Sequence, residues 1–183
     1  MAEREKWKAI LEKSREVKDT FFCSNHPHSP IPLEERTKFN GLDYYPPNPV
    51  YRFELKLQEH KDKELIKIEA TQGELREFIR WGEFRFKINN EEYTLQAYKS
   101  TPEESRLFIP FRDATSGSET YGAGRYIDLE PDEDRTTDGK WIFDFNEAYN
   151  PWCAYSDAYT CPLVPPENWL KIAILAGEKN YEH

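Results

Sequence analysis

The chain has 183 residues, of which 38% are hydrophobic and 15% aromatic, so it carries enough apolar surface to bury the core of one domain. Its 25 Lys and Arg residues against 34 Asp and Glu give a net charge of -9, which disfavours nucleic acid and anionic membranes as partners. The three cysteines do not suit a disulfide framework, and no stretch resembles a membrane span or signal peptide, so we expect one cytoplasmic domain over residues 1–183.

The first 49 residues predict a helix followed by an irregular segment. Ile10, Leu11 and Val17 recur at helical spacing among charged residues, which predicts an amphipathic helix over residues 3–18 that lies on the domain. Six prolines then fall within residues 21–49. Because proline fixes φ and lacks an amide donor, this segment is predicted to be an extended wrap.

Residues 50–178 predict a β core, because hydrophobic and polar side chains alternate in successive short runs. The clearest pattern is a hairpin, in which two alternating runs flank Asn89 and Asn90, residue types that tolerate positive φ. The predicted strands cover residues 51–57, 66–70, 84–88, 93–97, 107–111, 126–129 and 141–145. Short polar turns with almost no intervening helix favour a mostly β fold with an antiparallel sheet, barrel-like or a sandwich, and we prefer the barrel-like form.

Residues 147–168 interrupt this rhythm with a long loop rich in proline and aromatic residues. A loop of this length in a compact domain is typical of a functional element. Its tyrosines and tryptophans either seal the barrel mouth as core or stack on a flat ligand. After the loop, the alternation over residues 170–174 predicts a final strand or, after Pro166 and before Gly177, a short helix.

Residues 111–126 combine small residues with hydrogen-bonding side chains. Gly122 and Gly124 allow a close backbone approach, and Asp113 and Thr115 offer hydrogen bonds around it. One interpretation is a tight turn in which these side chains bond their own backbone, and the residue types alone favour it. The other is a ligand site in which Arg125 binds an anionic group.

Further motifs follow this run. They are Asp144-Phe145-Asn146, Ala148-Tyr149-Asn150-Pro151, Cys153-Ala154-Tyr155, Thr160-Cys161-Pro162-Leu163, Pro165-Pro166-Glu167-Asn168 and Ala176-Gly177-Glu178. Together they resemble the family catalogued as domain of unknown function 1684, over most of the chain from about residue 36 to residue 178. The resemblance implies a prokaryotic origin and supplies no activity. It also implies a short form, without the amino-terminal region resembling a forkhead-associated module that longer members carry.

We expect the functional surface within residues 113–168, as a polar pocket under the aromatic loop that binds a small molecule, with catalysis left open. Asp144 and Asn146 share one face of a predicted strand, which is either a pocket wall or a solvated face. The predicted ligand-binding residues are Asp113, Thr115, Ser116, Tyr121, Arg125, Asp144, Asn146, Tyr149, Asn150, Cys153, Tyr155, Cys161 and Asn168.

Two other functions remain as hypotheses. A hydrolase or lyase would use Cys153 or a carboxylate pair, which makes Asp113, Asp144 and Cys153 the candidate catalytic residues. A structural or interaction module would need no ligand, because its motifs would serve turn formation and packing alone. The sequence does not decide between these functions, and it does not specify an oligomeric state.

The cysteines and histidines offer one candidate metal cluster, Cys23-x-x-His26-x-His28. Its soft ligands would suit zinc or copper, but it lies outside the motifs that carry the family resemblance. Cys153 and Cys161 are eight positions apart, too far for a C-x-x-C metal or redox motif, although a single bridge between them stays open. We therefore predict no metal and no cofactor, and a small molecule as the only ligand.

Overall fold

Seven β-strands and two α-helices form the computed structural model, which describes residues 2–182. The helices are α1 (Ala2–Cys23) and α2 (Pro131–Asp134). The strands are β1 (Arg52–Leu55), β2 (Gln58–Glu69), β3 (Leu75–Ile88), β4 (Glu91–Lys99), β5 (Leu107–Phe111), β6 (Arg125–Leu129) and β7 (Trp141–Asp144). Five strands form an antiparallel sheet in the order β2-β3-β4-β5-β6, and β1 pairs with β7 in a second antiparallel sheet.

The two sheets enclose an aromatic core. Phe84 from β3 packs on Phe143 from β7 with ring centroids 5.2 Å apart, and Phe86 packs on Phe145 at 5.4 Å. The predicted mostly β fold is confirmed, as a sandwich-like arrangement. The preferred barrel-like form is wrong, because within residues 2–182 the outer strands β2 and β6 do not pair with each other. The two-stranded sheet packs across the face of the larger sheet instead of closing it.

The predicted hairpin is the connection between β3 and β4. Phe86 faces Tyr93 and Ile88 faces Glu91 in register, so the two alternating runs share a buried face. Asn89 and Asn90 have φ angles of 53° and 64°, the left-handed conformation that a two-residue hairpin turn requires.

Helix α1 is longer than predicted and is held to the domain partly by polar contacts. Leu11 is buried, but Ile10 and Val17 are 60% and 58% exposed, so the apolar stripe is narrower than the sequence pattern indicated. Asp19 accepts a hydrogen bond from the Leu42 amide, and Arg15 donates to the Tyr45 carbonyl oxygen. Within residues 2–182, no helix has the length and apolar character needed to cross a bilayer.

The wrap and the long loop both contain short 3-10 turns. These cover Arg36–Lys38, Pro49–Tyr51, Phe145–Glu147, Trp152–Ala154 and Pro166–Asn168. Residues 21–23, predicted as wrap, belong to α1. Arg36 holds the wrap together, because its guanidinium donates to the carbonyl oxygens of Ser24 and Ile31.

The predicted last element is wrong, since residues 170–174 form neither a strand nor a helix. The segment runs extended beside the chain that follows β5. Leu170 donates to the Arg112 carbonyl oxygen, and the Ala114 amide donates to the carbonyl oxygen of Ile172. The Ile174 amide donates to the Asp113 carboxylate at 2.7 Å. At this position a side-chain oxygen, and not a backbone carbonyl, accepts the hydrogen bond of the extended segment.

Candidate functional site

Asp113 is buried at the centre of a turn, residues 113–120, that we call the Asp113 turn. Its carboxylate accepts hydrogen bonds from the Thr115 hydroxyl at 2.9 Å and from the Ser116 hydroxyl at 3.2 Å. The Thr115 and Thr120 hydroxyls are 2.8 Å apart, and the Thr115 carbonyl oxygen accepts from the Thr120 amide. These side chains bond the turn itself, as in the structural interpretation of this motif.

Arg125 lies in the interior and is fully shielded from solvent. Its guanidinium donates to the carbonyl oxygens of Ile174, Ala176 and Glu178 and lies 3.4 Å from a carboxylate oxygen of Asp113. Burial lowers the pKa of Arg125, and the nearby Asp113 carboxylate opposes that shift. The predicted anion-binding arginine is therefore occupied by an internal carboxylate and three backbone oxygens.

Asp144 and Asn146 connect the end of β7 to α1 and to the wrap. The Asp144 carboxylate accepts from the Trp7 indole at 2.7 Å and from the Asn146 amide at 2.9 Å. The Asn146 side chain accepts from the Asn48 amide and donates to the Asn48 carbonyl oxygen. Asp144 and Asp113 belong to separate hydrogen-bond networks, so no described contact joins them as a carboxylate pair.

Glu178 organises a third network that the sequence motifs did not assign to a site. Its buried carboxylate accepts from the Tyr155 hydroxyl at 2.5 Å and from the Asn150 amide at 2.8 Å, and it pairs with Lys18. Lys18 is 160 positions away along the chain, which explains why no local motif predicts the pair.

Asn168 and Tyr149 stabilise the long loop. Asn168 accepts from the Gln96 amide at 2.8 Å and donates to the carbonyl oxygens of Gln96 and Pro110. Tyr149 donates to the Asp128 carboxylate. Burial raises the pKa of Tyr149, and the adjacent carboxylate raises it further. The predicted binding residues of this loop thus make hydrogen bonds that hold it against the sheet.

Cys153 and Cys161 lie together in the loop with Tyr121. The two thiol side chains are neighbours, and the Tyr121 hydroxyl is 3.6 Å from the Cys153 sulfur. Both cysteines are free thiols. No described contact joins a histidine to Cys153, so the base that nucleophilic catalysis would need is not beside it.

The residues that could ligate a metal do not assemble into a site. Within residues 2–182 there is no group of three or more His, Cys, Asp or Glu side chains placed to hold a metal ion. In the cluster at the end of α1, the His26 ring accepts from the His28 amide at 3.2 Å, and the Cys23 thiol donates to the Thr20 carbonyl oxygen at 3.5 Å.

A groove of about 370 Å³ lies at the ends of both sheets, away from the predicted residues, and we call it the two-tryptophan groove. It is lined by Lys56, Leu57, Glu59, Trp81, Lys99, Ser105, Leu107, Pro131, Arg135, Gly139 and Trp141. Trp81 is half-buried on β3, and Trp141 is buried at the start of β7. Because these residues are scattered along the chain, only the strand pairing brings them together.

Cations surround the two indole rings of this groove. The Lys99 ammonium lies 3.9 Å from the Trp81 ring centroid, and the Arg135 guanidinium lies 5.7 Å from that of Trp141. Lys63 also lies over Trp81, but it pairs with Glu59 at 3.2 Å. Burial lowers the pKa of Lys99. The Glu59 and Glu104 carboxylates oppose that shift, and repulsion from Lys63 adds to it.

Three cations of the groove form no ion pair and no side-chain hydrogen bond within the part of the chain that the structure describes. They are Lys56, Lys99 and Arg135. Such groups keep their full capacity for an external anion. Sequence analysis did not predict this site, because none of the three cations belongs to a motif.

A second concavity, of about 330 Å³, separates α1 from the segment after β7, and we call it the helix cleft. Arg15, Lys18, Asn146 and Tyr149 line it, and all four side chains already make hydrogen bonds or ion pairs with the chain. Glu147 also lines it, and its pKa is raised to about 7 by burial and by the nearby carboxylates of Asp144 and Asp134.

Comparison with known proteins supports the fold and the family. A similar solved structure is the solution NMR structure of an uncharacterized protein from gene locus rrnAC0354 of Haloarcula marismortui. The two chains are 41% identical, the TM-score is 0.73, and the match covers 97% of this chain and 96% of that one. No curated protein matches the sequence. The profile of the family described as "Protein of unknown function (DUF1684)" matches residues 37–179, so the chain belongs to that family.

Proposed function

We propose that the protein binds a small organic anion with a flat apolar body in the two-tryptophan groove. The observation that carries this proposal is the set of three cations without ion-pair partners, Lys56, Lys99 and Arg135, around two tryptophans in a chain of net charge -9. Small-molecule binding was also the function predicted from the sequence. The proposal moves it from the predicted pocket under the long loop to the groove, of which only Pro131, Arg135, Gly139 and Trp141 fall within residues 113–168.

The charge of the groove supports an anionic ligand. Acidic residues outnumber basic ones in this chain, so a cation typically finds a partner, as Lys63 does with Glu59. Lys99 lacks one and is partly desolvated, which lowers its pKa. An anion beside Lys99 would replace lost hydration, and the low local dielectric would strengthen that attraction.

The shape and lining of the groove support a flat apolar body on that anion. Ligand sites in proteins typically measure about 300–1,000 Å³, and the groove lies near the lower end with about 370 Å³. Leu57, Leu107 and the two indoles supply apolar contact area. A ligand of one or two rings that carries a carboxylate, sulfonate or phosphate group would match both surfaces.

Naphthalene-1-sulfonate is a suitable probe. In a heteronuclear NMR titration we expect saturable shifts of the indole N–H signals of Trp81 and Trp141, assigned with single Trp→Phe variants. Lys99→Gln should weaken binding about tenfold, because it removes one charge-assisted contact worth about 1.5 kcal/mol. Lys87→Gln is the matched control, since Lys87 is an exposed lysine on β3, the strand of Trp81, outside the groove, and the variant should bind as the wild type does.

Neutral 1-naphthalenemethanol separates charge from apolar contact and should bind more weakly than the sulfonate. Equal binding of the two probes would contradict the anion proposal. Shifts confined to Trp152 or Trp169, or equal losses in Lys99→Gln and Lys87→Gln, would place the ligand outside this groove. Absence of saturable shifts at Trp81 and Trp141 would overturn the proposal as a whole.

A further inference from the structure

The thiol side chains of Cys153 and Cys161 form a preorganised pair. Cys153 lies in the 3-10 turn Trp152–Ala154, and Cys161 immediately precedes the bridge between Ala70 and Pro162. The Cys161 thiol lies beside the Cys153 thiol and near the backbone amides of Trp152 and Cys153. The loop therefore folds back so that two thiols from different segments meet.

Contacts on both sides hold the two thiols in place. The Cys161 amide donates to the Thr71 hydroxyl at 3.1 Å, and the Thr71 amide donates to the Cys161 carbonyl oxygen at 2.9 Å. Within the same loop, the rings of Trp152 and Tyr159 pack edge to face with centroids 5.2 Å apart. The pair is thus positioned by the fold and needs no large rearrangement for the sulfurs to bond.

The surroundings favour the thiolate form of Cys153. Its pKa is lowered to about 6, first because the Cys161 thiol donates a hydrogen bond to it and then because the Tyr121 and Thr71 hydroxyls do so, while burial opposes the shift. The pKa of Cys161 is raised, first because its thiol proton is held by the neighbouring Cys153 sulfur and then because of burial, and the charge on Cys153 raises it further. One proton is therefore shared by two sulfurs, as in reactive dithiols.

We propose that Cys153 and Cys161 form an oxidation site, at which hydrogen peroxide converts the two neighbouring thiols into a disulfide. Cys153 is the attacking sulfur, since it is half-buried rather than enclosed and has the Tyr121 hydroxyl at 3.6 Å. Cys161 is the resolving sulfur, held in contact with it. The site lies in the long loop and shares no residue with the two-tryptophan groove. Each proposal can therefore be tested, and can fail, independently of the other.

The reaction balances in two steps. The Cys153 thiolate attacks one oxygen of the peroxide, and the O–O bond breaks. The other oxygen leaves as hydroxide and takes up a proton from solvent to form water. Cys153 is then a sulfenic acid. The Cys161 sulfur then displaces the hydroxyl group from Cys153. The S–S bond forms, and the thiol proton of Cys161 leaves with that hydroxyl as a second water. The two thiols lose two electrons in total, and the peroxide gains them.

Intact-mass analysis after treatment with hydrogen peroxide tests the proposal. The wild type should lose the mass of two hydrogen atoms, and peptide mapping should place the link between Cys153 and Cys161. Cys161→Ala should instead accumulate a sulfenic acid at Cys153 that dimedone traps. Cys161→Ser repeats that test if the alanine variant does not fold. Cys23→Ala should behave as the wild type does, because Cys23 has no thiol neighbour.

Cys23 also serves as an internal control for reactivity. It is more exposed than Cys153, so accessibility alone predicts that iodoacetamide alkylates Cys23 first. We expect the reverse at about pH 6.5, because the lowered pKa of Cys153 provides the reactive thiolate there. Tyr121→Phe should slow the alkylation of Cys153 and leave that of Cys23 unchanged. Faster alkylation of Cys23, or a peroxide product that links or modifies Cys23 instead of the pair, would overturn the proposal.

Discussion

The Asp113 turn and the two-tryptophan groove use charged side chains in opposite ways. Around the turn, Asp113 and Arg125 lie in the interior and direct their polar atoms at each other, at hydroxyls and at backbone groups. In the groove, Lys56, Lys99 and Arg135 form no ion pair within the described residues, although the Glu59 and Glu104 carboxylates attract Lys99. A polar motif whose hydrogen bonds are made within the chain specifies the fold, whereas cations without ion pairs beside aromatic rings indicate a place for a ligand.

Arg125→Met is the largest test of this contrast. The substitution leaves the buried Asp113 carboxylate and the carbonyl oxygens of Ile174, Ala176 and Glu178 without their donor. We expect a loss of about 3–5 kcal/mol in the free energy of unfolding, as for other buried pairs from which one partner is removed. Urea unfolding followed by circular dichroism measures it.

Arg85→Met is the matched control for that experiment. Arg85 pairs with Glu83 at the surface with 49% of its side chain exposed, so its removal should cost less than about 1 kcal/mol. Equal losses for the two variants, or an Arg125→Met protein as stable as the wild type, would contradict a structural role for Arg125. The Asp113 turn would then again be a candidate binding site.

The local patterns in the sequence predicted the elements well and the long-range contacts poorly. The hairpin at Asn89 and Asn90 was found because turn chemistry and period-two alternation act between neighbouring residues. The partners of Glu178 and the assembly of the groove depend on pairings between distant segments, such as that of Lys18 with Glu178. The alternation over residues 170–174 predicted a strand or helix that does not form. Alternation indicates which side chains are buried, but it does not indicate which backbone groups are hydrogen-bonded.

Glu147 extends the comparison to a carboxylate at the edge of the buried network. Its side chain forms no hydrogen bond or ion pair within residues 2–182. Its pKa is raised from 4.5 to about 7, so between these values the folded state holds a proton that the unfolded state releases. Stability therefore falls as pH rises through this window and stays lower above it. Glu147→Gln should match the wild type near pH 5 and unfold at higher urea near pH 8.

The size of the Glu147 effect should be modest, since part of the side chain is exposed to solvent, which screens the carboxylates around it. Glu77→Gln provides the control, because Glu77 is exposed on β3 and no described contact involves its side chain. Urea midpoints measured across the pH range test the sign. A Glu147→Gln variant that is more stable than the wild type at acid pH, and not at alkaline pH, would contradict the raised pKa of Glu147.

Lys99→Gln should have the smallest effect on stability and the clearest meaning for the groove. The change loses a cation–π contact with Trp81 worth about 0.5–1 kcal/mol, but it also removes a partly desolvated charge and its repulsion from Lys63. These effects oppose each other, so the free energy of unfolding should change by less than about 0.5 kcal/mol. Lys18→Gln, which leaves the buried Glu178 unpaired, should cost about 3–5 kcal/mol. We expect Lys99→Gln to weaken naphthalene-1-sulfonate binding without a loss of stability. We expect Lys18→Gln to lose stability while the folded protein still binds the probe. That pair of results would show that Lys99 serves a ligand and that Lys18 serves the fold.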